Sequence, residues 1–165
     1  MRIYMMQHGQ ALPKEKDPER GLSEEGMRQI NLSAKAIHNM GVKIDVICSS
    51  PKKRARQTAE IVAKELNYPI EKIEISSVFK PLSPPADAIS YLQSFTDKTS
   101  IFIAGHLPSL AEIASELLSE GPIFIQFQMG GLCEIEVEEL PTHQGKLISF
   151  LTPEQLALIA KQAIM

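Results

Sequence analysis

The sequence predicts an α/β fold, a three-layer α/β/α sandwich in which helices cover both faces of a mostly parallel sheet. Two observations predict this fold class. Short apolar runs, such as residues 99–106, are typical of strands that are buried on both faces. Between such runs lie stretches with apolar residues spaced by three and four, such as residues 108–121, as amphipathic helices require. The length suits one domain, and we assign residues 1–165 to it.

The first strand and the first helix have clear boundaries. Residues 2–7 form an apolar run and predict a strand, which a loop over residues 9–22 follows. Ser23 is a favoured helix N-cap, and Gly41 is a favoured residue just beyond a helix end. These two residues therefore bound a predicted helix over residues 24–40.

The second strand and helix follow directly. Residues 44–50 predict a short apolar strand. Ser50 as N-cap and Pro51 at the first helical position predict a helix from there to about residue 66. The remaining predicted elements are a weaker strand over 70–76, a helix near 86–95 after the Pro-rich loop 80–87, a strand over 99–106, a helix over 108–121, strands over 123–128, 132–138 and 146–151, and a helix over 153–163. Strands that follow one another directly at the end suggest a mixed edge of the sheet.

Composition and charge limit the function classes. The net charge of −3 provides no general basic surface for nucleic acid. No apolar run is long enough to cross a membrane, and the first apolar run is too short for a secretory signal, so we expect a cytoplasmic protein. Cys48 and Cys133 lie in apolar runs, which indicates buried thiols rather than a disulfide.

Several candidate functional residues fall where predicted strands end and helices begin. Ligands of such sheets bind beyond the carboxyl ends of the strands, and two strands end there in a histidine, His8 and His106. Gly9 permits a close backbone approach or a positive φ after His8. Arg54 lies near the start of the second helix, where free N–H groups favour an anion, and Arg20 precedes the first helix.

Two imidazoles and two guanidinium groups at one crevice fit phosphoryl transfer through a histidine nucleophile. The arginines would lower the pKa of His8 and keep one ring nitrogen free to attack. His106 and the arginines would stabilise the charge on the phosphoryl oxygens. The sequence motifs of serine hydrolases, of P-loop nucleotide binding and of zinc proteases are missing. No metal or other cofactor is implied, because side chains supply the positive charge.

Four segments carry a resemblance to a known family: QHG at 7–9, RGLSEEG at 20–26, SSPKKRARQTA at 49–59 and GHLPSL at 105–110. In this order they resemble the histidine phosphatase (phosphoglycerate mutase-like) superfamily, and most of all its small SixA-type phosphohistidine phosphatases. The resemblance implies the α/β/α sandwich of that family. It also implies that His8 accepts the phosphoryl group, that Arg20 and Arg54 bind phosphate, and that His106 is the second pocket histidine.

One residue departs from the family pattern. The family has arginine where this chain has Gln7, so Gln7 and Gly9 are expected to contribute to phosphate binding without a charge. Losing one charge-assisted contact to a transferring phosphoryl group costs about 2–4 kcal/mol, or about 10²–10³ in rate. Lys80, on the Pro-rich loop, is the candidate for a compensating cation.

The predicted substrate class follows from the lack of a carboxylic acid placed to protonate a leaving group. Larger family members use a carboxylic acid to protonate an alkoxide leaving group, whereas the segment 77–87 offers only Asp87 at its far end. Glu15, Asp17 and Glu19 lie in the first loop and need not reach the pocket. Phosphohistidine leaves as a neutral ring, so we expect a phosphohistidine on a protein, for example a histidine phosphotransfer domain.

Two other functions stay open, and the oligomeric state is not predicted. The chain could be a phosphatase of small phosphomonoesters, or a module that binds phosphoryl groups without turnover because of Gln7. Other polar residues near the motifs have ordinary structural explanations. We expect a solvated helix face or surface position for Lys52, Lys53, Arg56, His38 and His143, helix packing for Thr58, and capping for Ser49 and Ser50, one of which could also donate to the phosphate.

Overall fold

The structure, a computed structural model, describes residues 1–162 and contains one six-stranded sheet between two layers of helices. Its strands are β1 (Arg2–Gln7), β2 (Val46–Ser49), β3 (Glu74–Ile75), β4 (Ser100–Gly105), β5 (Leu132–Glu136) and β6 (Lys146–Leu151). Its α-helices are α1 (Glu24–Asn39), α2 (Lys53–Glu65), α3 (Pro85–Leu92), α4 (Ser109–Leu118) and α5 (Pro153–Ala160). Single 3₁₀ turns cover Ile70–Lys72, Ser77–Phe79 and Gln93–Phe95.

The sheet has the strand order β3-β2-β4-β1-β5-β6. β1 pairs with β4 in parallel, β4 with β2 and β2 with β3 likewise, whereas β5 is antiparallel to both β1 and β6. The predicted mostly parallel sheet with a mixed edge is therefore confirmed. Because Gln7 lies beside Gly105 in the β1–β4 pair, the residues that follow these two strands emerge side by side.

Two apolar cores lie on opposite faces of this sheet. Alternate residues of β1 face alternate cores, with Met5 in one and Met6 in the other. The Met5 core is completed by α3 and α4, through residues such as Ile89 and Ile113. The Met6 core is completed by α1, α2 and α5, for example by Ile30. This arrangement is the predicted three-layer sandwich, and it leaves the carboxyl edge of the strands open at one end.

Helix ends follow the capping signals of the sequence in most places. The Ser23 hydroxyl accepts a hydrogen bond from the Gly26 N–H at 3.0 Å, as an N-cap does, and α1 starts at the next residue. Gly41, with φ +73°, follows the end of α1 in the left-handed conformation that favours glycine. Thr152 forms a capping box with Gln155 at the start of α5.

The start of the second helix differs from the prediction. α2 begins at Lys53 rather than at Pro51, with Lys52 as its N-cap in extended backbone geometry. The Ser50 hydroxyl accepts a hydrogen bond from the Lys52 N–H at 3.2 Å, so Ser50 closes a turn before the helix. A Ser-Pro start signal therefore marks a turn here, because the serine hydroxyl also has a partner outside the helix, His106.

Two predicted strands are wrong or too long. Residues 123–128 form no strand, and the edges of β1 are taken by β4 and, over Arg2–Met5, by β5. Only Met129, just beyond that run, forms an isolated bridge, to Gln7. β3 has two residues rather than the predicted 70–76, since a 3₁₀ turn occupies Ile70–Lys72.

The other predicted elements agree with the structure to within a few residues at each end. Cys48 and Cys133 are free and buried, as predicted.

The end of the last predicted helix, residue 163, lies outside the described residues, so the structure does not test it. Within residues 1–162, none of the helices has the length and apolar character that a membrane span needs.

Candidate active site

His8 lies at the carboxyl edge of the sheet, one residue beyond β1. Its backbone N–H donates to the Gly105 carbonyl at 3.0 Å, which extends the β1–β4 pairing to the histidine. Gly9 lies against α1, where an added Cβ would be 2.7 Å from Cγ1 of Ile30. Of the two predicted reasons for a glycine here, close approach is the correct one, because the positive-φ glycines are others, such as Gly41.

The two ring nitrogens of His8 have different partners, and these determine its tautomer. Nδ1 is 2.7 Å from the Gly9 carbonyl oxygen, which can only accept a hydrogen bond. Arg54 Nε, which can only donate, is 3.2 Å from Nε2. Nδ1 therefore carries the proton, and Nε2 presents a lone pair. This is the protonation state that a nucleophilic imidazole requires.

His106 occupies the matching position beyond β4. The ring centroids of His8 and His106 are 5.1 Å apart, with an interplanar angle of 60°. His106 is 2% exposed, and its Nε2 is 2.8 Å from the Ser50 hydroxyl oxygen. Its Nδ1 is buried and has no hydrogen-bond partner among residues 1–162. Ser50 therefore fixes the ring orientation from one side only.

Both histidines are neutral at physiological pH. The pKa of His8 is lowered to about 4, chiefly by burial, with smaller lowering effects of the positive charges of Arg54 and Arg20 and an opposing, raising effect of the Gly9 carbonyl. Burial also lowers the pKa of His106 to about 3, with smaller contributions from His8, Arg54 and Lys52. The predicted lowering of the His8 pKa is thus present, but burial is a larger cause than the arginines.

Arg54 is held in the first turn of α2 by a connection to the His8 loop. The Thr58 hydroxyl donates to the Arg54 carbonyl at 2.8 Å and accepts from the Gly9 N–H at 3.2 Å. Thr58, which we expected to serve only in helix packing, therefore joins the backbone next to the nucleophile to the backbone of the arginine. The sequence signal is its position four residues after Arg54, one helical turn along.

Arg20 is held by the loop between β1 and α1. Its φ of +52° is unusual for a residue with a Cβ, and its Nε donates to the Leu12 carbonyl at 3.2 Å. Asp17 braces this conformation by accepting from the Gly21 N–H at 2.9 Å and from Lys53 Nζ at 2.9 Å. Asp17 thus acts as a structural anion, and Lys53 is paired rather than merely solvated.

Arg20 and Arg54 line the same cleft, which we call the cationic cleft. Its volume is about 430 Å³, and six of its nine lining residues are Lys or Arg. Among these nine residues only Glu19 carries a carboxyl group, so one of the first-loop acids does reach the cleft. The lining residues are Lys14, Pro18, Glu19, Arg20, Pro51, Lys52, Lys53, Arg54 and Arg56. Such a concentration of cations on a chain of net charge −3 is a local site for an anion.

Gln7 lies in β1 on the side of the α3–α4 layer, the side that Met5 also faces. Its carbonyl accepts a hydrogen bond from the Gly130 N–H at 2.9 Å. Within residues 1–162 its side-chain amide has no hydrogen-bond partner in the structure. The side chain is therefore not committed to a structural role.

Lys80 is not among the residues that line the cationic cleft, so the structure does not support it as the compensating cation. Lys80 lines a separate depression on the Pro-rich loop together with Lys52. Lys52 borders both depressions, and its charge contributes to the low pKa of His106. Lys52, which we had expected to be only a solvated residue, is the better candidate.

The structure thus brings together His8, His106, Arg54 and Arg20, and it places Gln7 and Gly9 next to the first of these. Their roles in catalysis stay predictions. The sequence did not reveal Asp17, because its partners lie on the loop and on α2, or Glu19 as a cleft residue. Within residues 1–162, no cluster of three His, Cys, Asp or Glu side chains could hold a metal ion.

Comparison with known proteins gives matches of three kinds. A family model described as "Histidine phosphatase superfamily (branch 1)" matches residues 3–75. The structure of the protein histidine phosphatase SixA complexed with tungstate has a TM-score of 0.85 and 26% sequence identity, over 94% of this chain and 99% of that one. A protein proposed to be the phosphohistidine phosphatase SixA of Agrobacterium tumefaciens has a TM-score of 0.74 and 24% identity, over 92% and 97% of the two chains.

A curated relative matches a shorter region. The mitochondrial serine/threonine-protein phosphatase Pgam5 of Drosophila mojavensis is 30% identical over 83 residues, which is 50% of this chain. The match spans 29% of the length of that relative. The structural matches, by contrast, extend over nearly the whole chain.

Proposed function

The chain belongs to the histidine phosphatase superfamily and is similar to SixA, and from this premise we propose that it removes the phosphoryl group from phosphohistidine on a protein, through a phospho-His8 intermediate. One observation carries the proposal. His8 Nε2 presents a lone pair, because Nδ1 donates to the Gly9 carbonyl and Arg54 donates to Nε2. A pKa of about 4 keeps this state at any physiological pH.

In the first step, His8 Nε2 attacks phosphorus, a bond from Nε2 to phosphorus forms and the bond to the substrate nitrogen breaks. The electron pair of that bond stays on the substrate nitrogen. When the other nitrogen of the substrate ring is protonated, the ring leaves as neutral imidazole, so this step needs no protein acid. His8 keeps its proton on Nδ1, where the Gly9 carbonyl stabilises the positive charge that the ring acquires.

The cations of the cleft stabilise the charge on the transferring group. Arg54 Nε, now directed at His8 Nε2, is placed to donate to phosphoryl oxygens when the phosphorus atom reaches that nitrogen. Arg20 supplies a second guanidinium from the opposite loop. Lys52 adds a third positive charge on the side of His106.

In the second step, water attacks phospho-His8. The phosphorus–nitrogen bond breaks, its electron pair returns to Nε2, and the two hydrogens of the water leave with the phosphate as dihydrogen phosphate. His8 is regenerated as the neutral Nδ1–H tautomer, so the cycle closes without a net change in the protein. The same cations that assist transfer to His8 also assist transfer to water.

A second candidate is hydrolysis of a phosphomonoester, and Glu19 favours it. An alkoxide leaving group needs a proton, and Glu19 is the carboxyl group that lines the cationic cleft. However, its side chain is 71% exposed and its carboxylate lies 4.0 Å from Lys53 Nζ, so nothing in the structure directs it at a leaving group beside His8. This balance makes phosphohistidine the better substrate class for the cleft.

A third candidate, binding of phosphoryl groups without turnover, rests on Gln7. The structure has an uncharged amide at the position where the family signature has arginine. The remaining cations could hold a phosphoryl group while transfer is too slow to matter. In this candidate, Gln7 changes the rate of phosphoryl transfer, and the protein still binds phosphoryl groups.

The test is phosphate release from a phosphohistidine-bearing protein by the wild type, the His8→Ala variant and the His143→Ala variant as a matched control. His143 is exposed and lies outside the cleft. We expect release that is lost in His8→Ala and intact in His143→Ala, with an acid-labile label trapped on the wild type. Release that survives His8→Ala would refute the nucleophile.

The same assay separates the three candidates. Faster turnover of free phosphohistidine or phosphoramidate than of an alkyl phosphate supports the phosphohistidine proposal. Faster turnover of the alkyl phosphate, reduced in Glu19→Gln, would indicate the phosphomonoesterase. Tungstate or phosphate binding without release from any substrate would indicate the binding module.

A further inference from the structure

A groove along α4 lies outside the cationic cleft and has no part in the chemistry described above. Its volume is about 740 Å³, and it lies between the outer face of α4 and the segment 120–126. We call it the α4 groove. Pro85 at the start of α3 and Pro108 before α4 line one end.

One side of the α4 groove is apolar and exposed. Phe124 is 98% exposed and Ile123 is 38% exposed, and both line the groove. The Ile123 N–H donates to the Ser115 hydroxyl at 2.9 Å, which fixes this segment against α4. An aromatic side chain held on a fixed backbone with nearly all its surface in water gains free energy when a partner covers it.

The other side of the α4 groove is acidic. Glu112, Glu116 and Glu120 follow one another at intervals of four residues and all line the groove. Glu112 and Glu120 have no salt-bridge partner within residues 1–162. Glu116 has one nearby cationic candidate, His143, at 3.9 Å, and that histidine is charged only when protonated. The charge of the groove is thus opposite to that of the cationic cleft.

The α4 groove starts close to the candidate active site. Pro108 is two residues beyond His106, and the Leu110 N–H donates to the His106 carbonyl at 2.9 Å. From there the ten residues of α4 extend for about 15 Å. A partner segment in the groove would therefore have one end beside His106 and the other end near Glu120.

We propose that the α4 groove binds an amphipathic helix of the phosphorylated partner, with an apolar stripe on Phe124 and Lys or Arg side chains on the row of glutamates. This inference rests on the proposed function, a phosphohistidine carried by a protein. The charge of the groove selects a basic partner. Glu112 and Glu116, one turn apart on α4, match cations spaced by one turn on a second helix, and Glu120 adds a negative charge beyond the end of α4. Helix-in-groove binding uses such an apolar stripe.

The test uses two synthetic helical peptides that differ only in charge. Both have leucines on one face and one histidine near an end. One carries lysines beside the apolar stripe, and the other carries glutamates. Binding of the unphosphorylated peptides is measured by fluorescence anisotropy, so the result does not depend on turnover. We expect the lysine peptide to bind at least about tenfold more tightly than the glutamate peptide.

Variants of the groove then identify the binding surface. Phe124→Ser should weaken binding of the lysine peptide about tenfold, as loss of an aromatic anchor does. The double variant Glu112→Lys with Glu120→Lys should reverse the preference in favour of the glutamate peptide. The matched controls are Leu158→Ser, an exposed apolar residue on α5, and Glu71→Lys, an exposed acid before β3. Both controls should bind like the wild type.

The outcomes separate this inference from the proposed function. Equal affinity for the two peptides, or affinity unchanged in the groove variants, would overturn the docking surface even if phosphohistidine is hydrolysed. Self-association of the wild type that Phe124→Ser abolishes would assign the groove to a second copy of the chain instead. With both peptides phosphorylated on histidine, the groove variants should raise KM for the lysine peptide and leave turnover of free phosphohistidine unchanged.

Discussion

The cationic cleft and the α4 groove lie on opposite layers of the sandwich, and they are built differently. In the cationic cleft, on the α1–α2 side, hydrogen bonds hold the backbone segments that carry the two arginines. Arg54 is held through Thr58, and the loop of Arg20 is held through Asp17. The α4 groove, on the α3–α4 side, presents Phe124 almost completely exposed.

The difference follows from what each surface has to do. Stabilising charge during phosphoryl transfer requires donors that are already in place, because reorganising them would add to the barrier. Binding a partner gains most from apolar surface that is still in water when the partner arrives. The comparison thus predicts that changes in the cleft affect every phosphorylated substrate, whereas changes in the groove affect only substrates carried by a protein.

The largest expected effect comes from Arg54. Arg54→Ala should lower kcat/KM by about 10²–10³ for free phosphohistidine and for a phosphohistidine protein alike, because the guanidinium donates at the reacting nitrogen. Arg28→Ala is the matched control, since Arg28 lies on α1 outside the cationic cleft and pairs with Glu25. A loss confined to the protein substrate would place Arg54 in docking and contradict the division between the two depressions.

Gln7→Arg should act in the opposite direction. An arginine on this strand adds a charged fork beside His8, and we expect kcat/KM to rise by about 10² for both kinds of substrate. Gln144→Arg adds the same charge in the loop between β5 and β6, at the far edge of the sheet, and should change neither rate. If the Gln7→Arg variant turned over at the wild-type rate, Lys52 or another cation would already supply the positive charge that the arginine was expected to add.

The sequence correctly predicted those features of the fold and of the site that depend on local signals and on the order of the strands. The apolar runs of β1 and β4 each end in a histidine, and parallel pairing of these strands is enough to bring His8 and His106 together. The Ser23 cap and Gly41 likewise bound α1 through contacts within a few residues. These features needed no knowledge of distant partners.

The features that the sequence did not predict depend on contacts between residues that are far apart in the chain. The run 123–128 has the apolar character of a strand, but the edges of β1 are taken by β4 and, over Arg2–Met5, by β5. Arg20 takes a positive φ because Asp17 binds Gly21 and Lys53, which lies 36 residues further along the chain. That loop conformation also brings Glu19 to the cleft, which residue types alone do not indicate.

Low pH should destabilise the folded protein through its two buried histidines, His106 and His8. Burial lowers the pKa of His106 to about 3 from an ordinary 6.5, so between these values the unfolded chain binds a proton that the folded chain does not. The free energy of unfolding therefore falls as the pH drops below 6.5, and His106 makes no such contribution above it. At about pH 4.5 the loss is on the order of 2 kcal/mol. His8 acts in the same direction, over the window from 6.5 to about 4.

Urea denaturation at about pH 7 and about pH 4.5 measures this loss. His106→Asn should lose less stability than the wild type between the two pH values, because asparagine binds no proton. His143→Asn, at the exposed position beside the α4 groove, should lose as much as the wild type. The same loss in His106→Asn as in the wild type would show that other groups cause the acid sensitivity.

The smallest effect concerns Ser50, a buried residue whose hydroxyl contacts His106. Ser50→Ala removes the hydrogen bond to His106 Nε2 and should lower kcat by about three- to tenfold, the value of one buried hydrogen bond. If Ser50 acts through His106, the same change in a His106→Ala background should have no further effect on kcat. Additive losses would instead give Ser50 a separate role, such as holding Lys52 through its backbone N–H. In that case the fixed geometry of the cleft would depend on the turn before α2 rather than on the second histidine.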